Sequence, residues 1–247
     1  MDIKHYLDST YLKTAQQAHL TEVENEAVVK AAIQEAIDEK FKLIMIRPNY
    51  VSLAKEMISN QKSNVLIGTV IGFHEGTASI EDKLEEAKLA IANEVDELDY
   101  VVNFEAFKNG ELALVKNEIV LGTKLGLEHN KTVKWIIEIA ALSGAQIIQL
   151  TSLIKNCVVA NFKETQYDKV FVKSSTGFYK TLDGLPNGAT IPGIKAMVEN
   201  AFPLPVKASG GVKSKEEAIE MIKLGVKRIG TSSAKAIADG MESSDSY

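Results

Sequence analysis

Apolar positions fall into two kinds of segment that alternate from one end of the chain to the other. The first kind is short and rich in apolar and β-branched residues, with little polar alternation. Segments 6–10, 41–46, 65–73, 97–102, 133–139, 169–173, 205–208 and 227–231 read this way, and each predicts a strand covered on both faces. The second kind carries a helical repeat. From Ser79, the apolar Ile80, Leu84, Ala87 and Ile91 recur at i, i+4, i+7 and i+11, with charge between them. Ser79 is followed three residues on by Asp82, and Ser214 by Glu217, a spacing that caps helix starts. Further helices are predicted over 20–39, 51–60, 106–125, 145–162, 191–200, 214–224 and 232–238.

Eight strands interleaved with helices over this length predict a parallel (β/α)8 TIM barrel of the α/β class. An open doubly wound sheet is the competitor. However, no Gly-x-Gly-x-x-Gly opens a helix and no Gly-x-x-x-x-Gly-Lys-Ser/Thr occurs, so its usual nucleotide fingerprints are missing. No Pro, Gly or Ser-rich linker divides the chain. The expectation is one barrel domain over 1–239, followed by a polar, flexible C-terminal tail over 240–247.

Composition narrows the function. The 247 residues carry 28 Lys and Arg against 33 Asp and Glu, a formal charge of −5, so nothing favours a nucleic-acid partner. With 45% hydrophobic and 25% charged residues, the chain reads as an ordinary globular protein. No apolar run reaches the ~18 residues of a membrane span, and Met1-Asp2-Ile3-Lys4 does not open a signal peptide. A cytoplasmic protein without a membrane partner is expected. Cys157 is the lone cysteine, and His5, His19, His74 and His129 are scattered, so neither a disulfide nor a metal site is expected.

Barrel enzymes place their chemistry at the C-terminal ends of strands. Those ends offer Asp8 and Thr10 in strand one, Asp99 in strand four, Lys134 in strand five, Lys173 in strand six and Lys207 in strand seven. A single Lys in an apolar strand usually snorkels outward. Two at equivalent positions, each followed by small hydroxyl residues and glycine, point to a buried pair instead. Gly210-Gly211 after strand seven and Gly230-Thr231-Ser232-Ser233 after strand eight fall where this barrel recurrently binds phosphate. A carboxylate, a lysine pair and a phosphate cradle suggest Schiff-base chemistry on a phosphosugar. The attacking amine must be neutral, although a free Lys has a pKa of ~10.4. A second ammonium at ~4 Å, at an effective dielectric of ~20, disfavours the charged form by up to ~4 kcal/mol. Desolvation acts in the same direction.

The motifs resemble one family closely, class I deoxyribose-phosphate aldolase. The likeness is carried by Val172-Lys173-Ser174-Ser175-Thr176-Gly177-Phe178, Val206-Lys207-Ala208-Ser209-Gly210-Gly211-Val212, Glu97-Leu98-Asp99 and Gly230-Thr231-Ser232-Ser233. Val70-Ile71-Gly72-Phe73 and Lys134-Trp135-Ile136-Ile137-Glu138 add to it. The resemblance implies reversible cleavage of 2-deoxy-D-ribose 5-phosphate to acetaldehyde and D-glyceraldehyde 3-phosphate, without cofactor or metal. It implies Lys173 as the Schiff-base residue, Lys207 as the neighbouring cation and Asp99 as a proton relay rather than a prop of the fold. Gly177, Gly210, Gly211, Ser232 and Ser233 would hold the phosphate, with Asp8 and Lys134 supporting the polar network. Some members end in a tail whose final Tyr assists proton transfer, which makes Tyr247 a candidate. A homo-oligomer is expected.

The chain departs from the family at Ser9, where a His is common, and at Met45, where many members carry Cys. His74 stands where Pro is usual, and Ile139 where Thr is common. Two other readings compete: another class I aldolase or transaldolase-like enzyme on a longer phosphosugar, and a barrel that binds a phosphosugar without turning it over.

Overall fold

The computed structural model describes residues 2–182 and 184–241. Eight parallel strands follow one another in chain order and close on themselves: β1 (Leu7–Thr10), β2 (Leu43–Ile46), β3 (Leu66–Ile71), β4 (Glu97–Val101), β5 (Thr132–Ile136), β6 (Val170–Lys173), β7 (Val206–Ser209) and β8 (Arg228–Thr231). The last pairs with the first, Asp8 beside Gly230, which closes the predicted (β/α)8 barrel. Around it lie α1 (Ala15–Ala18), α2 (Glu22–Glu39), α3 (Val51–Asn60), α4 (Ile80–Ala92), α5 (Phe104–Lys108), α6 (Leu112–Glu128), α7 (Gly144–Asn161), α8 (Ile191–Ala201), α9 (Lys215–Lys223) and α10 (Ala234–Asp239).

Local chemistry sets many of these boundaries. Ser79 accepts the Asp82 N–H to start α4, and Ser214 with Glu217 forms a reciprocal capping box on α9, as their spacing predicts. Thr21 with Glu24 and Ser143 with Gln146 cap α2 and α7 in the same way. The structure differs from the sequence reading in three places. The segment predicted as one helix over 106–125 is two, α5 and α6, because the Asn109-Gly110 turn breaks the repeat. The strand predicted over 133–139 ends at Ile136, and Glu138 bends the chain with a left-handed backbone. The single-turn α1 is too short for a periodicity to announce it.

Alternation along the strands sends successive side chains to opposite faces. The outward set, including Ile44, Ile67, Leu98, Tyr100, Trp135 and Val172, packs against the helices as the main hydrophobic core. Inside the barrel, Leu43, Met45 and Val70 pack with Leu12 on one side, and Val101 and Ile136 with Phe104 near the mouth. Much of the remaining interior is occupied by charge.

Candidate active site

Glu97 and Asp99 are two residues apart on β4 and so share its inner face. Lys134 of β5 stands in register beside Asp99, and Lys207 of β7 beside Lys173 of β6. Asp8 of β1 and Arg228 of β8 complete the group, and all seven side chains are buried. Asp99 is the hub. Its Oδ1 accepts from Lys134 Nζ at 2.6 Å, and its Oδ2 from Lys173 Nζ at 2.8 Å and Lys207 Nζ at 3.1 Å. Lys207 also pairs with Asp8 Oδ2 at 2.6 Å, and Lys134 with Glu97. Arg228 bridges the two outer carboxylates, its Nε 2.7 Å from Asp8 Oδ1 and its Nη1 3.1 Å from Glu97 Oε1.

Three carboxylates thus face four basic groups. With every group ionised, the cluster carries one positive charge too many for a water-excluded site, and that charge is weakest at Lys173. Burial, with Lys207 and Lys134 nearby, outweighs the pull of Asp99 and lowers the Lys173 pKa to about 8. Burial works against ionised Asp99 as well, but Lys134, Lys173 and Lys207 outweigh it and hold that carboxyl well below the usual range. Asp8 is lowered for the same reason, burial being overcome by Arg228 and Lys207. Lys134 moves the other way from Lys173. Burial opposes its charge, yet Asp99 and Glu97 together raise its pKa. A pKa of about 8 leaves about a tenth of Lys173 as free amine at neutral pH, against roughly 0.04% for an ordinary lysine.

Lys173 forms part of the wall of a cleft at the C-terminal end of the barrel. Gly177, Gly210, Gly211, Ser232 and Ser233 line the same cleft, so all five candidate phosphate residues gather within reach of one lysine. Gly210 and Gly211 both have φ of 77°, a left-handed pair that side chains rarely permit. The loop before α8 presses on this turn. Ala189 N–H donates to the carbonyls of Ser209 and Gly210, and Asn187 Nδ2 donates to Gly177 O at 3.2 Å. Ser233 is buried and its N–H donates to Thr231 Oγ1, whereas Ser232 is exposed at the mouth. Among the described residues, no three His, Cys, Asp or Glu are grouped to hold a metal ion, and no helix is long and apolar enough to cross a membrane.

No family model matches the chain. Curated relatives match it from end to end. A deoxyribose-phosphate aldolase of Thermococcus gammatolerans is 37% identical over 246 residues, 99% of each chain. The chain belongs to the deoxyribose-phosphate aldolase family. A second member, from Lactococcus lactis, is 36% identical, with both chains covered in full. Among solved structures, the tetrameric deoxyribose phosphate aldolase of Aeropyrum pernix superposes with a TM-score of 0.76 at 27% identity, over 96% of this chain and 89% of that one. The chain is therefore an aldolase, a lyase that cleaves deoxyribose 5-phosphate.

Within this aldolase the structure brings Asp8, Asp99, Lys134, Lys173 and Lys207 into one cluster. Tyr247 lies outside the described residues. Sequence reasoning left Glu97 and Arg228 out of the candidate site, although a polar residue in a short apolar strand is the signal that singled out the lysines. Asn187 and Gly188 carry no such signal, since their segment has no repeat. Met45 is fully buried in the barrel interior, His74 stacks on Phe178 with ring centres 5.7 Å apart, and Ile139 is buried.

Proposed function

We propose that this aldolase cleaves 2-deoxy-D-ribose 5-phosphate through a Schiff base on Lys173. The observation that carries the assignment is the pairing of a softened, buried Lys173 amine with a glycine-rich cleft that opens beside it. The neutral amine adds to the aldehyde carbon of the open-chain sugar, and loss of water gives an iminium. Removal of the proton on the C3 hydroxyl then breaks the C2–C3 bond. D-glyceraldehyde 3-phosphate leaves, and the electron pair remains on the nitrogen-linked fragment as an enamine. Protonation of its terminal carbon and hydrolysis release acetaldehyde and restore Lys173.

Asp99 and Lys207 are the groups placed to move protons in these steps. Asp99 rests ionised and is a weak base, so it suits transient transfer between Lys173, Lys207 and substrate rather than storage of a proton. Lys134, Asp8, Glu97 and Arg228 hold this geometry. The phosphate is taken by backbone at Gly177, Gly210 and Gly211 with Ser232 and Ser233. Tyr247 is offered as an additional proton donor because some family members end in such a tyrosine and a phenol both donates and accepts. The enzyme needs no cofactor for this sequence of steps. It works as a homo-oligomer, a reading supported by the tetrameric relative, and in the cytoplasm, because its phosphorylated substrate is too charged to cross a bilayer unaided.

Borohydride reduction in the presence of acetaldehyde, followed by peptide mass mapping, tests the assignment. The reduced adduct is expected on Lys173. An adduct confined to Lys207 would reverse the two roles.

A further inference from the structure

Glu138 lies two residues past the end of β5, is 1% exposed, and does not line the cleft. Its backbone is left-handed, with φ 53° and ψ 70°, a conformation that strains a residue with a side chain. Such strain persists only where the surroundings fix it, and here they do. On either side of it, Ile137 N–H donates to Lys173 O at 3.0 Å and Ile139 N–H to Ser174 O at 2.9 Å. The same bend brings the carboxylate to the turn that follows β6. Its Oε2 accepts the Thr176 N–H at 3.0 Å and also the Thr176 hydroxyl. Thr176 Oγ1 in turn accepts the Phe178 N–H at 3.0 Å. Hydrogen bonds to a carboxylate are stronger and shorter than those between neutral groups. The backbone on either side of Glu138 thus holds Lys173 and Ser174 while its side chain holds Thr176, and Thr176 and Gly177 line the cleft.

We propose that Glu138 is a positioning residue of the aldolase: by holding Thr176, it fixes the Lys173 amine relative to the phosphate-binding turn at Gly177. The proposal rests on the roles assigned above to Lys173 and Gly177. A phosphate anchored at one end of the sugar delivers its carbonyl to the amine only if this spacing is right. Substrates without a phosphate do not depend on it.

The test compares 2-deoxyribose 5-phosphate with unphosphorylated 2-deoxyribose, alongside borohydride trapping of acetaldehyde. Glu138→Ala is expected to lower kcat/KM for the phosphorylated sugar by about 10- to 100-fold, the scale of a small misplacement. On the unphosphorylated sugar and in trapping, the loss should stay within about 3-fold, because neither uses the anchor. Glu138→Gln keeps an acceptor oxygen and should restore most of the difference. Equal losses on both sugars would overturn the proposal. Should Glu138→Ala fail to fold, Glu138→Asp keeps the charge but shortens its reach to Thr176 and must show the same contrast, and equal losses there would overturn the proposal too. Absence of the Lys173 adduct in the unsubstituted protein is a separate result, which would overturn the nucleophile assignment and this proposal together.

Discussion

Lys173 and Lys207 stand side by side in the register of β6 and β7 and share one acceptor, Oδ2 of Asp99, at 2.8 and 3.1 Å. The two lysines are not equivalent in this arrangement. Among the described residues Lys207 forms ion pairs with two carboxylates, Asp8 and Asp99, whereas Lys173 forms one, with Asp99. The charge of Lys207 makes a proton on Lys173 less welcome.

Removing that charge gives the first prediction. Lys207→Leu deletes a neighbouring cation and leaves Asp99 free to pull harder on Lys173. The amine attacks only when neutral, so Schiff-base formation rises with pH through the Lys173 pKa of about 8. In the Leu variant this rise should move to higher pH, towards the ordinary lysine value. Borohydride trapping of acetaldehyde across a pH series reads it directly. An unmoved profile would leave Lys207 with proton transfer or positioning alone.

The second prediction is that Lys173 destabilises the fold it serves. Its folded pKa of about 8 lies below the unfolded lysine value of ~10.4. Between these pH values the unfolded chain binds more protons than the folded one, so this group's contribution to stability rises with pH across that window. Below it, the full penalty of burying the ammonium is present. Lys173→Met removes the penalty and should stabilise the protein at pH 7 by up to about 3 kcal/mol, with no activity left. Urea denaturation at pH 7 and pH 10.5 should show the gain shrinking at the higher pH. A Met variant less stable than the parent at pH 7 would mean that the bond to Asp99 outweighs desolvation.

Asp99 carries the third. As a hub for three buried lysines it is expected to support the fold as well as to move protons. Asp99→Asn keeps the shape and loses the charge that pairs them. It should cost about 100-fold or more in rate and about 3–5 kcal/mol of stability. The carboxyl's folded pKa is depressed, so its contribution is complete above the unfolded value of ~3.9 and is lost as pH falls below it. The parent should therefore lose stability more steeply than the Asn variant between pH 4 and pH 2. Parallel acid transitions would refute the linkage.

The barrel was legible because short apolar, β-branched segments alternate with segments of helical period along the chain, and because a charged residue in an apolar strand stands out. Lys173, Lys207 and Asp99 could be read that way. What could not be read is partner choice. Arg228 sits one strand from Lys207 and reaches Glu97 across the barrel, a contact between residues 131 positions apart that no local pattern encodes. Glu138 is similar. Its residue type was visible within a motif, but its left-handed backbone and its hold on Thr176 arise from the packing of β5 against β6. The sequence reading put a figure on the second ammonium and none on desolvation in softening Lys173, whereas burial is the largest influence.

The last prediction concerns Gly188, which no motif marks. Its α-carbon lies so close to the Gly210-Gly211 turn that an added Cβ would overlap the carbonyl carbon and oxygen of Gly210. Those neighbours are backbone atoms, so no side chain can swing aside to relieve the contact. Gly210 is itself left-handed, and Ala189 N–H bonds its carbonyl at 2.8 Å, which ties the two segments together. Gly188→Ala must therefore push the Gly210-Gly211 turn away from its position. Lys173 lies on the preceding strand and is fixed by Asp99, so the amine should stay where it is. The expected result is a rise of about 10-fold or more in KM for 2-deoxyribose 5-phosphate, while trapping of acetaldehyde on Lys173 continues at close to the parent rate. Inorganic phosphate should also lose potency as a competitive inhibitor in the variant. If KM and phosphate inhibition both stay at parent values, the Gly210-Gly211 turn does not hold the phosphate, and the anchor must be sought at Ser232 and Ser233 alone.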